Sequence, residues 1–574
     1  MMVVGNVFVE LSVIIIIAVV VSAVMRALRQ PLIIGYILSG ILVSPYFLDL
    51  IKNAESMAAF AQMGVAVLLF MVGLNLDLKV IKEVGKVSLV TGIGQIIFTF
   101  VIGFFIAKFL GFSAIASAYI SIALAFSSTI IIMKLLSDKG DISTLYGRIA
   151  IGFLIVQDIV AILILMVISS LGETSSLSSI AFQKIGLGIG LIAALVLISL
   201  FLIKPITSKM AKSQELLLLF SVGWAFAVAT VFDIVGFSVE IGALLAGISL
   251  AASPYKYEIV SRMKPLRDFF LLIFFILLGS QLNFSHLEGA ATPVILFSLL
   301  VFIGNPIIVM LLMKWLGYTK RSGFLAGLTV SQISEFSFIL IALGVSVGHI
   351  GPEILSLITV IGLITMGSST YAVINGNKIY GRISDKLRFF ERKGRKIDEG
   401  KYHRDENYDI ILFGYNRIGY SLKNSFIKLK KKFLIVDNNP ETIMNLARLG
   451  IDCRYGDAED LELLGDLPLK NAKMIISTIP EFDTNLLLLR TMKKVNRDVV
   501  FLAVSHQIND ALELYKAGAT YVITPHFFGG AYVASLIEKF GFRKEHFEKE
   551  GSKNTSELVK RQKEGHKDVL HERD

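Results

Sequence analysis

The 574-residue chain has a single cysteine, Cys453, two tryptophans and little charge: Lys, Arg, Asp and Glu together make up 18% of it. One cysteine forms no intrachain disulfide, which suits a reducing compartment. Soluble domains are about 25% charged, whereas this chain is 54% hydrophobic with a mean hydropathy of +0.69, which excludes an ordinary soluble protein. The start, MMVVGNVF, lacks the basic region of a cleavable signal, so the first apolar run is expected to persist as a helix. No nucleic-acid motif accompanies the net charge of +10. Its basic residues sit in short loops between apolar runs and in a linker, where orientation in a bilayer explains them.

What the chain does have is a series of apolar runs. A bilayer core of roughly 30 Å takes about 20 apolar residues per helix. Thirteen runs qualify: 8–28, 32–47, 57–76, 87–110, 115–136, 148–170, 184–203, 216–234, 236–252, 266–282, 293–316, 323–346 and 353–376. Lys and Arg collect in every second loop, eighteen of them from Arg26 and Arg29 to Lys314, Lys320 and Arg321. The other side holds three, Lys52, Lys108 and Lys184. The positive-inside rule then places the N-terminus outside and the C-terminal region in the cytoplasm, as in a multi-pass protein of the plasma membrane. Residues 1–377 carry the runs, 378–406 read as a basic linker, and 407–541 as a soluble domain. Residues 542–574 are expected to be a charged, disordered tail.

An internal repeat appears at an offset near 207. GYILSGILVSP from Gly35 matches GALLAGISLAASP from Gly242, which pairs Gly40 with Gly247; LLFMVGLNLD matches FFILLGSQLN, which pairs Gly73 with Gly279. Ser127-Ser128-Thr129 falls opposite Ser334-Glu335-Phe336. The offset spans seven helices, an odd number, so the halves lie upside down relative to each other, as in secondary transporters with a midplane site.

Asp158 lies ten residues into its run, about 15 Å deep and therefore at the bilayer centre. Ser127, Ser128, Thr129, Asn305 and Glu335 share that depth, with Gln157 and Ser334 beside them. A charge in hydrocarbon is costly enough that an intramembrane acid marks function by default. A carboxyl that is protonated when buried and ionised beside a cation carries one or the other, which is the basis of proton-coupled exchange. The Gln157 amide and the hydroxyls would add oxygens for a dehydrated alkali cation at Asp158. The plainer readings are a helix-packing hydrogen bond for Asp158, packing for the hydroxyls, and for Asn305-Pro306 a kinked helix whose amide satisfies a freed carbonyl. The repeat-mate of Asp158, near Thr365, is no acid.

In order along this region, QPLIIGYILSGILVSP, LLFMVGLNLD, ALAFSSTIIIMKLLSDKG, GFLIVQDIVAIL, VEIGALLAGISLA, RDFFLLIFFILLGSQL and SQISEFSFIL resemble the monovalent cation:proton antiporters of the Kef and NapA kind, in the cation:proton antiporter 2 branch. The resemblance implies a polytopic α-helical membrane protein of thirteen transmembrane helices with inverted repeats, NhaA/NapA-like. It further implies a dimerisation domain beside a moving core, hence a homodimer in membrane lipid. The fifth and twelfth helices would be broken at the midplane, although no Gly or Pro interrupts FSST or ISEF. The implied substrates are K⁺ or Na⁺ and H⁺, and Gln157-Asp158 resembles the potassium-associated branch. Ser334 stands where relatives often have Gly, and Asn305 where several have a Lys that pairs with the aspartate. Without that lysine, electroneutral exchange of one cation per proton is expected. A ligand-gated K⁺ efflux channel using the same site is the alternative from another class.

In the soluble region, DIILFGYNRIGYSLKNSF reads as strand, turn, helix and FLIVDNNP as a strand ending in Asp437, the signs of βα units and a parallel sheet. Gly414 and Gly419 are the first and third glycines of a dinucleotide fingerprint, and Asp437 falls where a ribose-binding acid belongs. Asn416, followed by Arg417, replaces the middle glycine. With CRYGDAED (Gly456, Asp457), MIISTIPEFDTN and AGATYVITP, residues 407–541 resemble the TrkA-N, or RCK, module of potassium transport proteins. That implies a C-terminal α/β Rossmann-like domain that takes NAD(H) or AMP/ATP as a regulatory ligand, with no catalytic cofactor. No second, substrate-binding soluble domain accompanies it, so the expectation is a transporter and not an enzyme. A ligand that binds two arrangements of the domain unequally would bias transport. A purely structural Rossmann unit is the alternative.

Overall fold

The structure is a computed structural model in which the described residues are 7–563 except 53, 76–84, 140, 172–189, 192, 196, 236, 238, 252, 284, 286–288, 392–400, 403–406 and 416–417. The chain forms two compact units, one of Met1–Ile142 with Tyr146–Arg392 and one of Ser143–Leu145 with Lys393–Asp574.

The first unit is helical. Its elements are α1 (Val7–Ala27), α2 (Leu32–Val43), α3 (Ala54–Asn75), α4 (Gly85–Phe109), α5 (Ala114–Ala125), α6 (Thr129–Lys139), α7 (Leu145–Leu171), α8 (Lys204–Met210) and α9 (Gln214–Ile234). They continue as α10 (Val239–Leu250), α11 (Lys256–Ser280), α12 (Ala291–Leu299), α13 (Asn305–Leu316), α14 (Lys320–Leu328), α15 (Glu335–Ser346), α16 (Pro352–Ile374) and α17 (Gly376–Ile383). Among the described residues, eight helical stretches are long and apolar enough to cross a membrane, and α2, α10 and α15 are shorter apolar helices. Of the expected run 184–203, residues 184–189, 192 and 196 lie outside the described residues; the rest is helical and ends in a π turn, Ser199–Ile203, leading into α8.

The burial pattern is that of a protein whose outer solvent is lipid. On α4, Ser88, Thr91, Gln95 and Thr99 are buried at 0–1% exposure, while Ile97, Phe98, Phe105 and Phe109 stand outward, the last at 88%. Polar groups turned inward and apolar ones outward are what a hydrocarbon surround selects.

The 207-residue repeat is visible in the packing. A Cβ on Gly40 of α2 would lie 2.9 Å from Gly279 Cα on α11, and one on Gly73 of α3 would lie 3.2 Å from Gly247 Cα on α10. Applying the repeat turns Gly40 into Gly247 and carries Gly279 back to Gly73, so the first contact becomes the second. In the same way Gly35 packs on Ser22 of α1 and Gly242 on Ala229 of α9, and Ser22 and Ala229 are themselves 207 residues apart. Partners that exchange in this manner are the mark of a two-fold relation, and small residues allow the close backbone approach.

Two helical elements are interrupted. α5 stops at Ala125 and its continuation α6 begins at Thr129; α14 stops at Leu328 and α15 begins at Glu335. Between α12 and α13 the helix passes through a π turn, Leu300–Gly304, just before Pro306, which accommodates the hydrogen bond that proline removes. The helical unit also extends past the expected boundary at 377. α17 and a 3₁₀ stretch, Ser384–Phe390, belong to it, because Lys314 Nζ sits 4.1 Å from the centroid of the Phe389 ring and Lys320 pairs with Glu391 at 3.8 Å.

The second unit carries a seven-stranded sheet in the order β1-β4-β3-β2-β5-β6-β7. The strands are β1 (Lys401–Tyr402), β2 (Ile410–Phe413), β3 (Phe433–Asp437), β4 (Cys453–Tyr455), β5 (Met474–Ser477), β6 (Val500–Val504) and β7 (Tyr521–Ile523). All are parallel except β1, which pairs antiparallel with β4. Helices α18 (Gly419–Lys428), α19 (Pro440–Arg448), α20 (Leu461–Asp466), α21 (Phe482–Val495) and α22 (Ile508–Ala517) connect them. Strand order reverses between β2 and β5, the switch point at which doubly wound sheets bind ligands. Beyond β7 run α23 (Pro525–Phe540) and α24 (Lys544–Lys563). The tail expected to be disordered from 542 is therefore helical over Lys544–Lys563. Charge spacing at i,i+3 and i,i+4 supports it through Lys544–Glu548, Lys553–Glu550 and Arg561–Glu557. Arg561 also lies over the Tyr420 ring at 4.8 Å and donates to Ser421 Oγ, anchoring α24 on α18.

Candidate functional site

Asp158 stands at the midpoint of the 27-residue α7 and is half-buried; its Oδ2 accepts a hydrogen bond from Thr129 Oγ1 at 2.9 Å. Thr129 opens α6, so the carboxylate is held at a helix N-terminus, where unpaired N–H groups favour an anion. Glu335 opens α15, is 3% exposed, and accepts from Ser334 Oγ at 3.4 Å, with Ser128 beside it. The Asp158 and Glu335 charges lie close enough to interact. Ser334 and Ser337 form a capping box on α15, and Ser128 Oγ accepts the Ile131 N–H at 3.3 Å. Hydroxyls thus start both half-helices and both acids sit in their first turns or against them.

The interruptions need no glycine or proline because side chains from the opposite half take the freed backbone groups. Ser127 Oγ donates to Val330 O at 3.4 Å and Ser337 Oγ to Ala123 O at 2.6 Å; Ala123 and Val330 are 207 residues apart. Asn305 Nδ2 donates to Leu124 O at 3.2 Å and to Val330 O at 3.4 Å, and its Oδ1 accepts from Thr99 Oγ1 at 2.6 Å. The asparagine amide therefore does satisfy freed carbonyls, but those of two neighbouring broken helices. In the second break, Gln332 Oε1 accepts from Ser369 of α16 at 2.7 Å.

Gln157 points its amide into the same framework. Its Oε1 accepts the Ser127 N–H at 3.2 Å, and its Nε2 donates to Gln95 Oε1, whose own Nε2 donates to Thr99 Oγ1 at 3.0 Å. The eight membrane candidates thus divide. Asp158, Thr129, Ser128, Glu335 and Ser334 form a cluster of carboxyls and hydroxyls; Gln157, Ser127 and Asn305 form an amide chain around the breaks. Gln95, Thr99 and Ser337 were not legible as site residues in the sequence. The available signal was a Gln and a Thr one turn apart in the middle of the apolar run 87–110.

In the second unit Gly414 has φ +83°, and a Cβ there would lie 2.5 Å from Thr478 Oγ1. Thr478 Oγ1 donates to the Gly414 carbonyl at 3.0 Å. A Cβ on Gly419 would lie 2.5 Å from that same carbonyl oxygen, so the third fingerprint position must be Gly for α18 to pack on β2. Asp437 ends β3 with both carboxylate oxygens engaged: the Tyr415 N–H donates to Oδ2 and the Asn439 N–H to Oδ1, each at 2.8 Å. Burial raises its pKa above the usual carboxylate range, and those two N–H groups oppose the rise. Gly456 N donates to Asp437 O at 3.0 Å, and Asp457 Oδ1 accepts from the Glu459 N–H at 3.0 Å. The structure thus brings Gly414, Gly419, Asp437 and Gly456 together at the C-terminal ends of β2, β3 and β4, beside Asp457. Asn416 and Arg417 lie outside the described residues.

Residues 14–374 match the family described as sodium/hydrogen exchanger, transmembrane, and residues 410–525 the TrkA-N domain. The chain is 26% identical over 508 residues to a chloroplastic K(+) efflux antiporter 2 of Arabidopsis thaliana, an alignment covering 86% of this chain and 42% of that one. It is 26% identical over 494 residues to the glutathione-regulated potassium-efflux system protein KefC of Salmonella arizonae, covering 85% of this chain and 77% of that one. The chain thus spans less than half the length of the plant relative. Among solved structures, the sodium proton antiporter MjNhaP1 of Methanocaldococcus jannaschii is 17% identical with a TM-score of 0.47, covering 66% of this chain and 97% of that one.

Proposed function

The chain belongs to the sodium/hydrogen exchanger family, and from that premise we propose that it exchanges K⁺, in preference to Na⁺, for H⁺ across a membrane, under control of a nucleotide on its TrkA-N domain. The observation that carries the reading is Asp158, hydrogen-bonded to Thr129 at the start of α6, where two interrupted helices approach each other at mid-span. Discontinuous helices that aim their ends at a midplane site are the recurring ion-binding device of secondary transporters. In this reading Asp158 binds either a proton or a dehydrated alkali cation, and Ser127, Ser128, Thr129, Ser334 and Glu335 furnish oxygens around it. Gln157 adds its amide oxygen to that set and, with Asn305, holds the breaks in place. Exchange is electroneutral, because Asn305, not a lysine, occupies its position. The chain forms a homodimer of thirteen transmembrane helices per subunit in two inverted halves, and the exchanged glycine contacts within the chain support the inverted relation of the halves. Its N-terminus is external and its TrkA-N domain cytoplasmic. NAD(H), AMP or ATP binds at Gly414, Gly419, Asp437 and Gly456, with Asn416, Arg417 and Asp457 beside them, and shifts the transport equilibrium by binding one arrangement better.

The test uses purified protein in liposomes loaded with a pH-sensitive dye. An imposed K⁺ gradient should drive H⁺ uphill with saturation, Asp158→Asn should abolish it, and voltage alone should drive nothing. Unsaturable conductive flux would instead establish a channel. Adding each nucleotide to the same vesicles should change the flux; a flux and melting temperature indifferent to all of them would remove the regulatory part of the proposal.

A further inference from the structure

We infer that Gln95 of α4 is a positioning residue for the exchange site, one that dictates which end of the Gln157 amide faces the cation. The inference rests on the reading of Asp158 as the exchanging carboxyl.

It follows from what each group in the amide chain is able to do. The Leu124 and Val330 carbonyls only accept, so Asn305 must turn its Nδ2 to them, at 3.2 and 3.4 Å. Its Oδ1 is then left to accept, and the Thr99 hydroxyl gives it its single hydrogen at 2.6 Å. With that hydrogen committed, Thr99 Oγ1 serves Gln95 as an acceptor, and Gln95 must present Nε2 to it, at 3.0 Å. Gln95 Oε1 therefore faces Gln157 and takes the Gln157 Nε2 hydrogen. Gln157 Oε1 is directed to the Ser127 N–H at 3.2 Å, two residues before Thr129, whose hydroxyl donates to Asp158. Hydrogen-bond logic of this kind fixes amide orientation wherever the chain ends on groups of one character. Here both ends are backbone: it starts on an N–H and finishes on carbonyls, one of them, Leu124 O, in the same break three residues away. Gln95, Thr99 and Asn305 are each 0% exposed and Gln157 is 1% exposed, so solvent offers no substitute partner.

The consequence is chemical. An amide oxygen turned toward the site adds a lone pair beside Asp158 and attracts a cation, while an NH₂ in its place repels one. Gln95 secures the first arrangement by engaging the NH₂. Without it, the Gln157 NH₂ is released toward the acceptors of the site and competes with the cation there.

The experiment compares Gln95→Leu, Gln95→Glu and Thr99→Val with wild type in K⁺-driven proton flux, reading half-saturation and maximal rate separately. Loss of one buried hydrogen bond corresponds to about tenfold, so Gln95→Leu should raise the K⁺ half-saturation about tenfold with a maximal rate per folded molecule within about twofold. Gln95→Glu, which keeps an acceptor for Gln157 Nε2, should restore half-saturation most of the way, and Thr99→Val should raise it. A purely structural role would lower the amount of active protein and leave half-saturation unmoved. Unchanged half-saturation in Gln95→Leu, or Gln95→Glu as impaired as Gln95→Leu, overturns the inference. If Gln95→Leu does not fold, the other two decide: Thr99→Val must raise half-saturation and Gln95→Glu must not. Asp158→Asn in the same vesicles separates the two readings. If it still exchanges, the site assignment is wrong; if it is silent while Gln95→Leu behaves as wild type, only the positioning role is.

Discussion

Asn305→Leu replaces the side chain joining the two helix interruptions with an apolar one of similar size, which isolates the hydrogen bonds from the packing. The native amide serves three partners, Leu124 O, Val330 O and Thr99 Oγ1, and is itself 0% exposed. After substitution Val330 O keeps the Ser127 hydroxyl at 3.4 Å, so the loss falls mainly on the Leu124 carbonyl, with smaller losses at the other two. An orphaned buried acceptor costs about 1–3 kcal/mol, giving about 2–4 kcal/mol for the site. At about 2 °C per kcal/mol, the low end for domains of moderate size, the helical unit should melt about 4–8 °C lower. The assay is thermal denaturation of the detergent-purified chain followed by tryptophan fluorescence, to which only the helical unit contributes, since both tryptophans, Trp224 and Trp315, lie in it. Asn305→Asp supplies the control: it keeps an acceptor for Thr99 and loses both donors, so it should fall nearly as far. A shift under a degree for Asn305→Leu, or a wild-type melt for Asn305→Asp, would refute the account of how the breaks are held.

Three further expectations concern other parts of the chain. Gly279→Ala would place a Cβ 2.1 Å from the Ile37 carbonyl oxygen and Gly247→Ala one 2.0 Å from that of Phe70, so both should collapse the yield of folded protein in detergent gel filtration; Gly223→Ala, with nothing within 4 Å, should not. Gly414→Ala forces a side chain to φ +83° against Thr478 and should destabilise the TrkA-N domain by more than about 1 kcal/mol, seen as an earlier urea midpoint by circular dichroism. Burial, with Asp452 and Asp437 nearby, pushes the Cys453 thiol up to about 12. The native protein should therefore ignore thiol reagents at pH 8 and react only when unfolded. The sign for stability follows: the unfolded chain releases this proton at an ordinary thiol value while the folded domain keeps it, so its contribution is present below that value and lost as the pH rises toward 12.

Much of the helical unit was legible because each run had to be long and apolar enough for a bilayer, and described helical residues lie in each of the expected runs. The repeat was legible as well, since Gly40, Gly73, Gly247 and Gly279 are required by close backbone approach wherever the chain is read. The β-strands of the soluble domain and its two fingerprint glycines follow from the same local logic, Gly419 from contact with the Gly414 carbonyl. The tail was misread because composition alone does not register the ion-pair spacing along α24 or the Tyr420 ring that receives Arg561.

By itself, then, the sequence determined where the chain is apolar, that its halves repeat, and that one carboxylate, Asp158, falls at mid-span with hydroxyls at its depth. Only the tertiary structure decided where the helices stop. FSST and ISEF contain no residue that breaks a helix, and their interruptions exist because Ser127, Ser337 and Asn305 take up the carbonyls of Val330, Ala123 and Leu124, at separations of 203, 214 and 181 residues. The same holds for Gln95 and Thr99, whose importance lies in partners on other helices. A hydrogen bond within one helix leaves a local pattern in sequence; one that closes the ends of two different helices does not, since its geometry exists only after the halves have packed.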